Sequence, residues 1–99
     1  MSIVIAHPEI LGAAAGELQS INAALRAGTA AAAVPTTGVV PAAADLVSLL
    51  TAAQFAAHAQ RYQAISAQAA AVHEQLATTL GISAGSYAAT EAANAATIS

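Results

Sequence analysis

The chain contains no cysteine and no tryptophan, and only two of its 99 residues are lysine or arginine. Without cysteine there are no disulfides, no thiol nucleophile and no thiolate metal ligands. The two cations, Arg26 and Arg61, stand against a net charge of −3. Such a balance argues against nucleic-acid binding and against attraction to an anionic membrane, because both depend on clustered basic side chains.

The chain also lacks the residue patterns that carry catalysis. Its carboxylates are scattered singly, and no nucleophile elbow, phosphate-binding loop or dinucleotide fingerprint is present. His58 and His73 lie fifteen residues apart in one predicted helix, or about 22 Å along its axis. They cannot share a metal ion. The sequence therefore predicts no enzymatic activity, no cofactor, no metal site and no small-molecule substrate.

Targeting and membrane segments are missing as well. The first residues have no basic region and no apolar stretch long enough for a Sec signal peptide. An uncharged run, 27–44, is interrupted by Pro35 and Pro41, and its alanines barely favour a membrane. We therefore expect neither a Sec leader nor a transmembrane helix.

What the chain does have is alanine, at about a third of all residues, far above ordinary usage. Alanine is the best helix former, so the composition predicts an all-α fold. Hydrophobic residues make up 58% of the chain and charged residues 7%. Because so few charges cannot cover a free helical surface, we expect exposed apolar patches of the kind that mark interaction sites.

The first predicted helix runs from about residue 8 to 33. Pro8 suits the first helical position, and Glu9 places a carboxylate where the helix dipole favours one. Apolar or small residues recur at steps of three and four, which keeps them on one side of a helix and is typical of the seam of a helix bundle. These positions are Leu11, Ala14, Leu18, Ile21, Leu25, Gly28 and Ala32.

A turn at 34–41, with two prolines and a glycine, suits an antiparallel helical hairpin. The second helix is predicted over about 43–80, with Asp45 as an N-cap or first-turn anion and Gly81 just past its end. The residues that follow, 82–99, are expected to form a flexible tail. Ser83 or Ser86 could cap a short third helix over 87–95, which should fray in the isolated chain because it has so little to bury.

Large apolar residues of the second helix do not share one face. One stripe contains Tyr62, Ile65, Val72 and Leu76, whereas Leu46 lies roughly opposite and Leu50 and Phe55 lie between. The first helix can cover only one of these sides. The pattern therefore indicates a second chain, without saying which stripe faces the first helix and which faces the partner.

Several residues together resemble the mycobacterial PE family. Pro8-Glu9 matches the Pro-Glu that names the family, and the stretch 41–48 at the start of the second helix, PAAADLVS, matches as well. Beyond the hairpin, Tyr87 and Glu91 stand four residues apart and fit the family's Y-x-x-x-D/E secretion motif, with Glu in place of the more usual Asp. The resemblance spans the whole chain, with residues 1–81 as the PE domain and 82–99 as the tail that carries the motif.

The resemblance implies a protein partner and a route of export. Members of this family pair one-to-one with a PPE-family protein to form a four-helix bundle, and the pair is exported folded through a type VII (ESX) secretion system. A dedicated chaperone grips the PPE partner rather than the PE chain. Tyr87 and Glu91 would be read by the secretion machinery, and the protein would end outside the cytoplasm, secreted or at the cell surface.

We therefore expect an antiparallel helical hairpin that forms half of a heterodimeric bundle. The rival interpretations are a self-associating homodimeric bundle without an export role, a lipid-surface helix and, most remotely, an enzyme. The residues expected in the helix seam or at the partner interface are Leu11, Leu18, Ile21, Leu25, Leu46, Leu50, Phe55, Tyr62, Ile65, Val72 and Leu76.

Overall fold

The computed structural model describes residues 5–98, and over that range the chain is all-α, with two long helices packed as a hairpin. Helix α1 spans Pro8–Thr37, and helix α2 spans Leu46–Ile98. The described residues form two compact units. The terminal unit comprises residues 5–22 and 72–98, and the turn unit comprises residues 23–71. Each unit contains part of α1 and part of α2, which confirms the expected two-helix hairpin.

Helix α1 begins as the sequence predicts. Pro8 takes the first helical position, where its missing N–H leaves no partner unsatisfied. The backbone N–H groups of Ile10 and Leu11 donate to the His7 carbonyl at 3.0 and 3.1 Å. Glu9 lies in the first turn, with its Oε1 3.5 Å from the His7 Nδ1. Residues 1–7 precede Pro8, and a short extended segment is expected there because a residue before proline disfavours helical geometry. Residues 5–7 are non-helical, and residues 1–4 lie outside the described range.

The end of α1 differs from the prediction, because the helix continues past Ala33 to Thr37 with Pro35 inside it. A proline this close to the end removes only one backbone donor from the last turn. The hydroxyls of the two threonines that follow it donate to carbonyls of the preceding turn, and the Gly38 N–H donates to the Val34 carbonyl at 3.0 Å. The connection is therefore 38–45 rather than 34–41.

Helix α2 begins later and ends much later than predicted. The expected range of about 43–80 becomes Leu46–Ile98, since the helix passes through Gly81 without interruption. No described glycine has a positive φ, so Gly81 does not form the left-handed cap that would have ended the helix. The tail expected to be flexible is helical in its described part, 82–98. Its separate functional role stays a prediction.

Small side chains fill the contact between the helices. The buried apolar residues are alanines in both units, and no large side chain in the described range is fully buried. The buried set is Ala15, Asn22, Ala77 and Ala84 in the terminal unit, and Ala52 and Ala59 in the turn unit. In the turn unit, the Gln63 side-chain amide also donates to the Thr29 carbonyl of α1 at 3.0 Å. The hairpin is therefore held by close backbone approach rather than by bulky side chains.

Candidate interaction surface

The side of α2 that faces α1 is identified by its burial. Buried and half-buried residues recur at alternating steps of four and three from residue 52 to residue 84. This is the heptad spacing of helices that pack side by side. We call these positions the α2 seam: Ala52, Ala56, Ala59, Gln63, Ser66, Ala70, His73, Ala77, Leu80 and Ala84.

The side of α1 that faces α2 is shifted from the pattern of large apolar residues in the sequence. Leu11 and Leu18 are half-buried, as a helix–helix seam requires, but Ile21 and Leu25 are 52 and 54% exposed. Next to the exposed Ile21, the residue that is buried is Asn22. The helix–helix seam therefore uses small or polar residues beside the large ones.

In the turn unit, the large apolar side chains are left exposed. On α2, each of Phe55, Tyr62 and Ile65 directly precedes a seam residue, so each lies about 100° around the helix from the contact with α1. All three are more than half exposed, as is Leu25 on α1. Leu46 and Leu50, in the first turns of α2, are exposed too. The turn unit thus presents an apolar surface that nothing in the described chain covers.

The terminal unit repeats this arrangement. Val72 and Leu76 directly precede seam residues of α2, and Ile10 and Ile21 directly precede Leu11 and the buried Asn22 on α1. All four side chains are between 49 and 61% exposed.

In the terminal unit, the apolar side chains of the two helices fall on the same side of the hairpin. On both helices they lie one residue before the contact, which is the same sense of rotation about each axis. Because the two helices run in opposite directions, equal rotations turn both stripes toward one side. In the turn unit the stripe belongs to α2, since Leu25 of α1 is followed by the exposed Arg26. We call these surfaces the apolar faces of the two units, with Phe55, Tyr62 and Ile65 in one, and Ile10, Ile21, Val72 and Leu76 in the other.

The motif residues lie outside these apolar faces. Pro8 and Glu9 start α1, and Tyr87 and Glu91 lie near the end of α2, one turn apart and both exposed. Sequence reasoning placed the half-buried Ala14 and Ala32 in the seam, but it missed other small and polar residues of the helix contact, notably Asn22 and Gln63. The regular spacing of polar and small residues from 52 to 84 was the available signal.

The potential metal ligands of the described residues are dispersed along the chain. No group of three or more potential ligands comes together in the described residues. His58 is exposed, whereas His73 is half-buried in the seam with its Nδ1 buried and without a hydrogen-bond partner among the described residues. Across residues 5–98, no helix is both long and apolar enough to cross a membrane.

The start of α2 holds a carboxylate, Asp45, whose pKa is shifted by its hydrogen bonds. The Ser48 hydroxyl donates to the Asp45 carboxylate at 2.7 Å, and the Ser48 N–H donates to its other oxygen at 3.0 Å. These two hydrogen bonds favour the ionised form and hold the pKa of the Asp45 carboxyl below its usual value. Asp45 is thereby confirmed as the N-cap of α2.

Comparison with known proteins gives a consistent result. The model of the PE family matches residues 4–94 of the chain. PE family protein PE13 of Mycobacterium tuberculosis H37Rv is 66% identical over 99 residues, and the match covers the whole of both chains. PE-PGRS family protein PE_PGRS8 of the same strain is 56% identical over 98 residues, which cover 99% of this chain but 56% of that protein. PE-PGRS family protein PE_PGRS5 of the same strain is 62% identical over 95 residues, which cover 96% of this chain but 16% of that protein. None of these names describes an enzyme.

Proposed function

The chain belongs to the PE family, and from that premise we propose that it is a non-enzymatic protein that pairs one-to-one with a PPE-family protein and is exported with it, folded, through a type VII (ESX) secretion system. The observation that carries the pairing is the exposure of the large apolar side chains. Within each unit they form an apolar face beside the helix contact, and the buried apolar residues of that contact are alanines. Two helices of a partner laid on these faces would complete a four-helix bundle.

The proposed interface residues divide between two environments. Ile21, Leu25, Leu46, Leu50, Phe55, Tyr62, Ile65, Val72 and Leu76 are exposed and available to a partner. Leu11 and Leu18 are half-buried and belong to the contact with α2. The export step is proposed on different residues, Tyr87 and Glu91, which the secretion machinery would read. The chaperone would contact the pair through the PPE partner.

Expression of the chain alone and together with a PPE-family protein tests the pairing. We expect the chain alone to aggregate or to show weak helicity, and the two proteins together to form a helical 1:1 complex by light scattering and circular dichroism. A chain that is monodisperse, fully helical and self-associated when alone would instead support a homodimeric bundle.

Charged substitutions locate the interface. Ile21→Asp and Val72→Asp each put a carboxylate into the proposed contact, where a buried unpaired charge costs several kcal/mol, so each is expected to abolish co-purification with the PPE protein. The matched controls Ala23→Asp and Thr78→Asp change exposed positions on the same two helices, well around each axis from the apolar faces. The controls are expected to pair normally. Loss of pairing in the controls as well would show a general effect on folding and not an interface.

A further inference from the structure

The heptad spacing of the α2 seam can be continued along the helix beyond its last buried residue. Ala84, at 8% exposure, is the last buried residue of α2, and every residue from 85 to 98 is exposed although the helix continues. Counting on from residue 84 at the same alternation of three and four gives residues 87, 91, 94 and 98. These are Tyr87, Glu91, Asn94 and Ile98. The side of α2 that packs on α1 in the terminal unit therefore continues, uncovered, for about two heptads.

The helix α1 cannot itself be extended to cover this stretch. It starts at Pro8, and the residue before a proline is strongly disfavoured from helical geometry. His7 is non-helical, and its carbonyl already accepts the first two N–H groups of α1. A helix that covers the continued seam is therefore not a continuation of α1.

The charges of the terminal unit indicate which charge the covering helix should carry. By sequence, the residues of the terminal unit contain four carboxylates, Glu9, Glu17, Glu74 and Glu91, and neither lysine nor arginine. Both arginines belong to the turn unit. Glu91 occupies a seam position, where a packed helix would remove it from water, and a desolvated carboxylate needs a cationic partner. The occupant is thus expected to be basic.

We propose that Tyr87, Glu91, Asn94 and Ile98 form a docking strip for a basic helix of the export machinery, laid along α2 in line with the start of α1. Small or apolar residues of that helix pack on Tyr87 and Ile98, and a lysine or arginine pairs with Glu91. The inference deepens the proposed export role, on which it rests, by naming what reads the motif and by adding Asn94 and Ile98 to it. The PPE partner is not the expected occupant, because the apolar faces lie about 100° around α2 from this strip.

An export assay distinguishes a docking strip of four residues from a motif that consists only of Tyr87 and Glu91. Asn94→Lys places a like charge against the basic helix, and Ala92→Lys adds the same charge to an exposed position about 200° around α2 from Asn94. We expect Asn94→Lys to lower export of the intact pair at least about tenfold, equivalent to roughly 1.4 kcal/mol, and Ala92→Lys to export normally. Equal export of the two variants would overturn the strip. Normal export of Tyr87→Ala would instead overturn the proposed export role, so the two failures are distinguishable.

The lack of cysteine allows a direct measurement of contact. Single substitutions Asn94→Cys and Ala92→Cys in the full chain, paired with its PPE protein, report maleimide labelling rates with and without the detergent-solubilised ESX membrane complex. We expect equal labelling in the pair alone and a slowing of about fivefold or more for Asn94→Cys alone when the complex is added, a change corresponding to about 1 kcal/mol. If labelling of Asn94→Cys were already slower than that of Ala92→Cys in the pair alone, the strip would be assigned to the PPE protein and the proposal would be contradicted. The proposal would also be contradicted if the added complex slowed the labelling of both variants equally or of neither.

Discussion

At the scale of single residues, Asp45 shows how one side chain fixes where a helix starts. Its carboxylate accepts hydrogen bonds from the hydroxyl and the N–H of Ser48, three residues on, so the first turn of α2 gains partners for donors that the helix leaves unpaired. The connection before it, 38–45, contains Pro41 but no helical residue. The start of α2 therefore depends on this cap.

The Asp45 cap predicts a pH dependence. Because the pKa of Asp45 in the folded chain lies below its ordinary value of 3.8, the ionised cap stabilises the fold above that value and the stabilisation is lost as the pH falls through the folded pKa. Asp45→Asn keeps an acceptor but does not titrate. The urea midpoint of the pair with the wild-type chain should exceed that of the Asp45→Asn pair at pH 6, and the difference should shrink as the pH falls below 3.8 and through the folded pKa of Asp45. A difference that is constant with pH would exclude the ionised cap.

Tyr87 is 49% exposed and lies outside the apolar faces. Tyr87→Ala should therefore leave pairing intact, because no residue of the proposed interface is changed, while export falls to background. Co-purification and the amount of the pair in the culture medium measure the two effects. Thr90→Ala, also exposed and off the seam, is the control. A Tyr87→Ala chain that failed to pair would place Tyr87 in the bundle rather than in the signal.

At the scale of the helices, α2 passes through two glycines, Gly81, which the sequence suggested would end it, and Gly85. Neither has a positive φ, and a Cβ built on either meets no atom within 4 Å. Both are thus ordinary helical positions at which glycine only adds freedom to the unfolded chain. Alanine-rich sequence on both sides is sufficient to continue the helix.

Gly81→Ala is accordingly expected to stabilise the pair by about 0.5–1 kcal/mol, measured as a shift of the urea midpoint. Gly38→Ala is the contrasting variant, since its Cβ would lie 3.2 Å from the Val34 carbonyl oxygen at the end of α1. That substitution should give no gain. If Gly81→Ala destabilised the pair, the helix around Gly81 would have to bend or break in the assembled protein.

The helices themselves were predictable from sequence, but the residues by which they touch were not. Alanine content predicted two helices, Pro8 predicted where α1 begins, and Asp45 predicted the start of α2 to within about three residues. The large residues Ile21 and Leu25 have the same spacing as a helix contact, yet both are exposed, and Asn22 is buried. The periodicity of apolar residues indicates that one side of a helix is covered, but it does not indicate which element covers it. An apolar stripe that would contact another chain therefore has the same spacing as one that contacts the neighbouring helix. The end of α1 was also missed, because Pro35 is tolerated where only one last-turn donor is lost.

At the scale of the whole molecule, the chain exposes more surface than its mass requires. Its accessible surface is 7281 Å², whereas a folded monomer of this mass is expected to expose about 5,100 Å². The excess, roughly 2,200 Å² on this chain alone, is well above the 800 Å² or so that each partner contributes to a standard interface. An excess of that size is typical of chains whose interface replaces part of a core, and such chains are stable mainly as complexes.

This surface predicts how the pair unfolds. If the apolar faces are stabilised mainly by the partner, unfolding and dissociation are one event, and the midpoint of thermal unfolding rises with the concentration of the pair. Calorimetry of the 1:1 complex over a hundredfold range of concentration should therefore show a single transition that moves upward, with the loss of helicity and the loss of the complex at the same temperature. A transition that stays fixed, or dissociation that precedes the loss of helicity, would mean that alanine contacts such as those of Ala77 and Ala84 suffice to hold the hairpin without a partner.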